Sequence, residues 1–411
     1  MEQVRNIAHI LAKPIGPQCN LNCGYCFYTE KSVLYRTQNF RMADEVLETY
    51  IRKYIAASKA PEVSFVWQGG EPTLLGVDFF RKAISLQRRY AGDKRIVNSL
   101  QTNGTLLDDE WCGFLKDNDF LVGISLDGPA DIHDRYRLSQ ARTETFTTVL
   151  KGFRLLKEYD IPFNVLCCVT KESAYQAKEI YQFFKYEGIK FIQFIPIVER
   201  QPDAVAIELG LRHGMPGAKK ATEVTLWSVE AEEYGDFLIT IFDEWVRNDV
   251  GTVHVMNFEW ALEAWLGLEA TVCVFAKQCG EALVMEHDGT VYSCDHYVYP
   301  EYQLGNILTS TPEELVQSQK QRQFGLAKKE KLPAYCRNCA AEFACHGECP
   351  KHRFLQTPDG EEGLNYLCAG YKRYFQHIHP YMKVIRQLIE NNLPPAKVMD
   401  VIKGPLIVKG D

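Results

Sequence analysis

The chain has 411 residues, an ordinary globular composition and a formal net charge of −7. That length buries a large core and suits more than one domain, and the acidic balance offers no footprint for a nucleic-acid backbone. No apolar run reaches the length of a membrane span, and the opening Met-Glu-Gln-Val-Arg-Asn carries no signal-peptide hydrophobic region. The expected setting is therefore the cytoplasm, without membrane or nucleic-acid partner. Fourteen cysteines in such a chain argue for metal ligation rather than disulfides.

Taken in order, residues 10–15 form a short apolar strand that leads into Cys19-Asn-Leu-Asn-Cys23-Gly-Tyr-Cys26. Three cysteines within eight residues supply three thiolates from one loop. A tetrahedral metal site wants four ligands, so the loop suits a 4Fe–4S cluster with one iron open to a small chelating molecule. A zinc knuckle with a distant fourth ligand is the alternative. Val46, Leu47, Tyr50, Ile51, Tyr54 and Ile55 share one helical face across residues 41–59. A strand at 63–67 ends at Gly69-Gly70-Glu71-Pro72. Helix 77–90, strand 96–101, helix 108–116 capped by Asp108, strand 121–126, helix 146–159, strand 163–169, helix 175–186 and strand 191–196 follow. Six strands alternating with helices predict a parallel sheet with crossover helices. Six units match an incomplete barrel, and ligands then belong at the C-terminal ends of the strands. The cysteine loop, Gly69-Gly70-Glu71-Pro72 and Ser125-Leu126-Asp127-Gly128 all fall there.

Residues 199–228 break the pattern with Pro, Gly and charge. They predict a long loop, either a cover for an active site or a variable surface insertion. Helices are expected at 230–247 and 258–266. Beyond residue 272 lie Cys273, Cys279 and Cys294, then Cys336-x2-Cys339-x5-Cys345-x3-Cys349, then Cys368. With the first loop these divide as three plus four plus four: one open site and two complete four-thiolate sites, iron–sulfur or structural zinc. Cys112, Cys167 and Cys168 remain and read as core residues. His254, His287 and His346 have no ligand-like spacing.

Cys279-x9-Gly289-x4-Cys294 with the later cysteines resembles the SPASM domain of radical S-adenosylmethionine (SAM) peptide-modifying enzymes. Within that group the sequence most resembles the anaerobic sulfatase-maturating enzymes. The likeness is carried by Cys19-Asn-Leu-Asn-Cys-Gly-Tyr-Cys-Phe-Tyr28, Gln68-Gly-Gly-Glu-Pro72, Gln101-Thr-Asn-Gly104, Ser125-Leu-Asp-Gly-Pro129, Cys294-Asp-His-Tyr-Val298 and Leu304-Gly-Asn306. It runs from about residue 8 to about residue 380.

The resemblance implies a partial (β/α)6 barrel over residues 1–235 and a helical connector over 236–270. An auxiliary-cluster domain over 271–370 and a C-terminal helical tail over 371–411 complete the division. It implies three 4Fe–4S clusters and SAM as cofactors, with Cys273, Cys279, Cys294 and Cys349 on the nearer auxiliary cluster and Cys336, Cys339, Cys345 and Cys368 on the outer one. Spacing alone would equally allow the sequential set Cys336, Cys339, Cys345 and Cys349. It implies SAM contacts from Gly69, Gly70, Glu71, Ser125 and Arg137, with Arg135 as the competing arginine, and an adenosine pocket bordered by Tyr25 and Val198. His296 and Tyr297 would line the pocket.

The implied reaction is removal of a Cβ hydrogen from a cysteine or serine of an unfolded sulfatase polypeptide, giving Cα-formylglycine. Electrons would come from an external donor such as flavodoxin or ferredoxin. Asp295 would be the base, with a pKa raised by a partly dry pocket; its other reading is support for the cluster loop. Two further functions compete: a peptide maturase forming thioether cross-links, and a multi-cluster electron carrier. The chain starts almost at its first strand, without the recognition domain many cross-linking maturases carry. A carrier needs no open iron.

Overall fold

A computed structural model describes residues 9–217 and 223–402. Six parallel strands, β1 (His9–Lys13), β2 (Glu62–Trp67), β3 (Arg95–Thr102), β4 (Leu121–Ser125), β5 (Phe163–Val169) and β6 (Phe191–Pro196), lie side by side in chain order. The intervening helices are α1 (Asp44–Ala57), α2 (Val77–Tyr90), α3 (Asp109–Asp117), α4 (Phe146–Glu158) and α5 (Ala177–Tyr186). The expected elements are all present, with ends shifted by a few residues. Asp108 caps α3, its carboxylate accepting from Trp111 N at 2.9 Å.

The strands and helices meet through the apolar faces the periodicity predicted. Tyr50 and Tyr54 of α1 stack and pack edge-on against Phe65 of β2, and Tyr50 also packs against Trp67. These rings are buried, and each fully buried large apolar side chain contributes about 1.5–3 kcal/mol.

The barrel does not close. On one side β6 pairs with β7 (His254–Val255). On the other, β1 pairs in parallel with β8 (Ala282–Glu286), placing Leu11 opposite Val284 and Lys13 opposite Glu286. Antiparallel β9 (Thr290–Tyr292) and β10 (Gln303–Asn306) extend that edge into a ten-stranded sheet. The sheet therefore crosses the boundary expected at residue 271. It carries the first strand of the barrel and the hairpin of the cysteine-rich segment in one register.

Two long helices brace the rear. The first, α6 (Ala231–Asn248), runs through the boundary expected at residue 235 and lies against α7 (Cys368–Glu390). Their crossing is set by Gly370, where a Cβ would stand 1.8 Å from the Ala231 carbonyl oxygen, and by the facing Gly235. Residues 199–217 and 223–228 are not all loop: Ala204–Glu208 is a short helix, and Arg200 bridges to Val224. Residues 218–222 and 403–411 of the expected insertion and tail lie outside the described residues.

Candidate functional site

The cysteine loop leaves β1 and is fixed from three directions. Gly70 N donates to Gly16 O at 2.8 Å and Glu71 N to Gln18 O at 2.9 Å, tying the loop to the end of β2. Asn22 N and Gly24 N donate to Leu138 O and Tyr136 O at 2.8 and 3.0 Å. The Gln140 amide donates to the carbonyls of Cys19 and Leu21. A Cβ on Gly70 would lie 1.8 Å from Gln18 O, so only glycine permits this approach. Cys19, Cys23 and Cys26 lie close enough that ionising one disfavours the next, though burial is the larger effect and lifts the Cys19 thiol to about 12. Leu21 N (3.3 Å) and the Asn103 amide (3.8 Å) already donate toward the Cys19 sulfur. Sulfurs that are grouped, desolvated and offered donors fit an iron–sulfur cluster, whose positive irons would offset the burial.

Leu21, Cys23, Tyr25 and Ile197 form a separate apolar cluster, with Cys168 and Trp227 against it. Cys168 is thus beside the first site rather than a plain core residue, while Cys112 and Cys167 are fully buried as expected.

The expected SAM contacts sort into two kinds. Ser125 receives a hydrogen bond from the Gln101 amide at 3.1 Å, and Val198 is buried beyond the end of β6. Gln101 itself had no assigned role; its side chain lies over Gly123, where a Cβ would be 2.1 Å from its oxygen. Glu71 also ties the protein together. Its buried carboxylate accepts from Thr73 N and Oγ1, Thr102 Oγ1 and Asn103 N at 2.6–3.1 Å, joining the ends of β2 and β3.

Arg137 and Tyr25 share a partner that the sequence did not single out, Asp127. Arg137 donates from Nε (2.8 Å) and Nη2 (3.1 Å) to its two oxygens, Tyr25 Oη donates at 2.5 Å, and Cys168 N at 2.9 Å. The carboxylate facing Arg137 here is thus internal. Its only sequence signal was an acid at a strand end within reach of an arginine. Arg135 lies outside, near Glu172 at 3.7 Å, and is 57% exposed.

Asp295 follows Cys294 on a short turn and faces β1. Its Oδ1 is 2.7 Å from the Lys13 ammonium. Lys13 is 1% exposed and Asp295 24%. Lys13 also lies 3.7 Å over the Tyr28 ring, whose hydroxyl donates to Glu286 at 2.7 Å. Burial pushes the Asp295 pKa up, but Lys13 and His296 outweigh it and hold the carboxyl below its ordinary value. The expected upward shift is therefore reversed, because Lys13, six residues before the cysteine loop, becomes its neighbour only in the fold.

A second pair, half-buried Lys351 with buried Glu199 at 2.5 Å, lies nearby. Lys351 sits 4.7 Å from the Phe27 ring centre, and His296 stands edge-on to Phe27 with Nδ1 3.8 Å from the Cys349 sulfur. Tyr297 packs against Tyr302 and Phe324. Glu30 is held by His213 Nδ1 at 3.0 Å and by Arg212 N at 2.7 Å, which pins the 199–228 segment over the residues that follow the cysteine loop.

The eight later cysteines fall into two neighbourhoods. Cys273 and Cys294 act electrostatically with Cys349, and Cys279 with Cys273 and Cys349. Cys336, Cys339, Cys345 and Cys368 act on one another and together line one cavity with Tyr335, Gly347 and Tyr371. The grouping is the interleaved one. Cys349 turns away from Cys345 through two left-handed residues, His346 and Glu348, with Gly347 between them. Cys368 opens α7, so the helix presents its positive end to the second group. Lys328 donates to the carbonyls of Cys273 and Val274 at 2.7 and 2.8 Å, fixing the first. Among the described residues no set of His, Cys, Asp and Glu converges on a single metal ion. Cys336, Cys339, Cys345 and Cys368 enclose a cavity, as cluster ligands do.

Comparison with known proteins agrees with this geometry. Residues 14–184 match the radical SAM superfamily and residues 273–340 an iron–sulfur cluster-binding domain. A serine-type anaerobic sulfatase-maturating enzyme of Bacteroides thetaiotaomicron is 44% identical over 96% of this chain and 95% of its own. A cysteine-type enzyme of Clostridium perfringens is 36% identical over 90% and 96%. The solved structure of native anSMEcpe with bound AdoMet and Cp18Cys peptide superposes with a TM-score of 0.81 at 34% identity, covering 93% of this chain and 99% of that one.

Proposed function

Because the chain belongs to the anaerobic sulfatase-maturating enzymes, radical SAM enzymes with a SPASM domain, we propose a division of labour among its residues. The enzyme oxidises a cysteine or serine of a sulfatase polypeptide to Cα-formylglycine, using three 4Fe–4S clusters and SAM. When bound, the open cluster and SAM supply the 5′-deoxyadenosyl radical that takes a Cβ hydrogen.

The chain's own residues do the rest. Cys19, Cys23 and Cys26 hold the open cluster, and the two later groups of four cysteines hold the auxiliary ones. Gly69, Gly70 and Ser125 line the cofactor's methionine and ribose side. Tyr25 and Val198 border the adenine side. Arg137, anchored on Asp127, presents its remaining edge. Asp295 accepts the proton of the substrate thiol or hydroxyl. Lys13 holds the carboxylate in place and ionised, since a protonated acid cannot serve as base.

The observation that carries this reading is the position of Asp295. It is bound to β1, the strand that leads into the cysteine loop, while its neighbour Cys294 belongs to the first auxiliary group. One carboxylate is thus tied to the strand that leads into the cysteine loop and adjoins a cysteine of the first auxiliary group, which supports its reading as the base. The greater identity to the serine-type relative supports serine as a target alongside cysteine. An external donor such as flavodoxin or ferredoxin supplies electrons, and the cytoplasm keeps the fourteen thiols reduced for metal binding.

Mass spectrometry tests the reading. Anaerobically purified protein is given SAM, a reductant and paired sulfatase peptides carrying Ser or Cys at the target. Formylglycine in at least one peptide is expected. A thioether cross-link instead would overturn it.

A further inference from the structure

Gln101 of β3 stands directly opposite Gly123 of β4 in the parallel register. Along both strands buried residues alternate with partly exposed ones. Leu100, Val122 and Ile124 enter the apolar core shared with the helices. Successive strand residues point to opposite faces, so Gln101, Gly123 and Ser125 share the other face, toward the inside of the open barrel. The Gln101 side chain crosses Gly123 to reach Ser125, and its amide nitrogen donates to Ser125 Oγ at 3.1 Å.

Two features give this contact a purpose beyond packing. The first is Gly123, where a Cβ would lie 2.1 Å from Gln101 Oε1 and 3.1 Å from its Cδ. Glycine inside a strand weakens the sheet, and β-branched residues are favoured there. Here it leaves Gln101 a flat path to the serine. The second is the polarity of the hydrogen bond. A serine hydroxyl has one hydrogen to donate and two sites that accept. With the Gln101 amide on an accepting site, the hydroxyl hydrogen is left to point away from Gln101.

We propose that Gln101 is a positioning residue for SAM: it holds the Ser125 hydroxyl as a donor to a carboxylate or ribose oxygen of the cofactor. The inference rests on the placement of Ser125 beside SAM in the function above. Gln101 acts through the serine, and Gly123 keeps its path clear. Methionine at 101 would nearly match the length without the donor. Glutamate would match the shape, but an ionised carboxylate only accepts and would draw the hydroxyl hydrogen to itself.

The test is a set of SAM dissociation constants, measured by equilibrium dialysis on anaerobic, cluster-loaded enzyme without reductant. The variants are Gln101→Met, Gln101→Glu, Gly123→Ala, Ser125→Ala and the double variant of Gln101→Met with Ser125→Ala. Iron content and melting temperature are read on each preparation. Gln101→Met should weaken SAM binding by about three- to tenfold, the scale of one hydrogen bond. Gln101→Glu should weaken it at least as much. Gly123→Ala, which pushes the glutamine aside, should resemble Gln101→Met. The double variant should bind within twofold of Ser125→Ala alone, because a residue that acts through Ser125 has nothing left to act on. If Gln101→Met weakens binding by its full factor in the Ser125→Ala background too, Gln101 touches SAM itself or only packs the strands, and the proposal is overturned. Loss of iron or a lowered melting temperature in both Gln101 variants would overturn it as well, by making the residue structural. Parent-like affinity in Ser125→Ala would remove the serine from the cofactor site, and this inference with it. Weakened binding in Ser125→Ala beside parent-like Gln101 variants would leave the site intact and strike only the role of Gln101.

Discussion

The Lys13 ammonium and the Asp295 carboxylate meet at 2.7 Å across the junction of the barrel and the cysteine-rich segment. Neither residue is near the other in sequence, and the pair decides the charge of the proposed base. Asp295→Asn should keep all three clusters and SAM binding, because the amide nearly matches the carboxylate in shape but accepts no proton. Peptide oxidation should fall by a factor on the order of a hundred or more, while some SAM cleavage persists. Iron, 5′-deoxyadenosine and formylglycine measured together check this. Joint loss of iron and activity would mark Asp295 as support for the cluster loop.

Lys13→Met removes the cation and leaves the carboxylate partly buried. Breaking a fully buried pair costs about 3–5 kcal/mol; with Asp295 24% exposed, a cost of about 1–2 kcal/mol is expected, read as a lower denaturation midpoint. Turnover should also fall, and its pH profile should shift upward as the Asp295 pKa rises without Lys13.

Gly70→Ala places a methyl group where Gln18 O now lies, 1.8 Å away. The cysteine loop must move, so the first cluster should be lost or labile while the later eight thiolates keep theirs. Iron should drop from about twelve to about eight per chain, with SAM cleavage abolished. Cys23→Ala should show the same iron loss with a normal melting curve for the rest of the protein. Parent-like 5′-deoxyadenosine production by either variant would contradict the assignment.

Asp127→Asn strips the carboxylate from Arg137 and Tyr25. An arginine that is 8% exposed is left with a neutral partner, so a loss of up to about 3–5 kcal/mol is expected. Weaker SAM binding, measured by equilibrium dialysis, should accompany it.

The strand–helix alternation and the three-plus-four-plus-four cysteine count were readable because each rests on local spacing. Aromatic faces such as Tyr50 with Tyr54 announced their own burial. What the sequence could not show are pairings set by the closed shape: Asp127 with Arg137, Glu199 with Lys351, and Lys13 with Asp295. Each joins residues in irregular segments or at a strand end, where no periodicity links them. The interleaved cysteine groups came from resemblance alone, since Cys345 and Cys349 are neighbours in sequence yet part at a left-handed turn. Glu71 belongs to a glycine motif that is local in sequence, but its four internal donors come from Thr73, Thr102 and Asn103, two of which only the fold brings beside it.

The pairing of β1 with β8 also governs how the protein comes into being. During synthesis β1 emerges first, yet the strand that covers one of its edges is among the last third of the chain to leave the ribosome. Until residues 282–286 arrive, that edge offers open backbone groups of the kind that recruit foreign strands. So long-range a contact also slows the search for the native state. A nascent chain of this enzyme is therefore exposed to aggregation for most of its translation, and a chaperone that shields β1 would raise the yield of folded apoprotein before any iron is inserted.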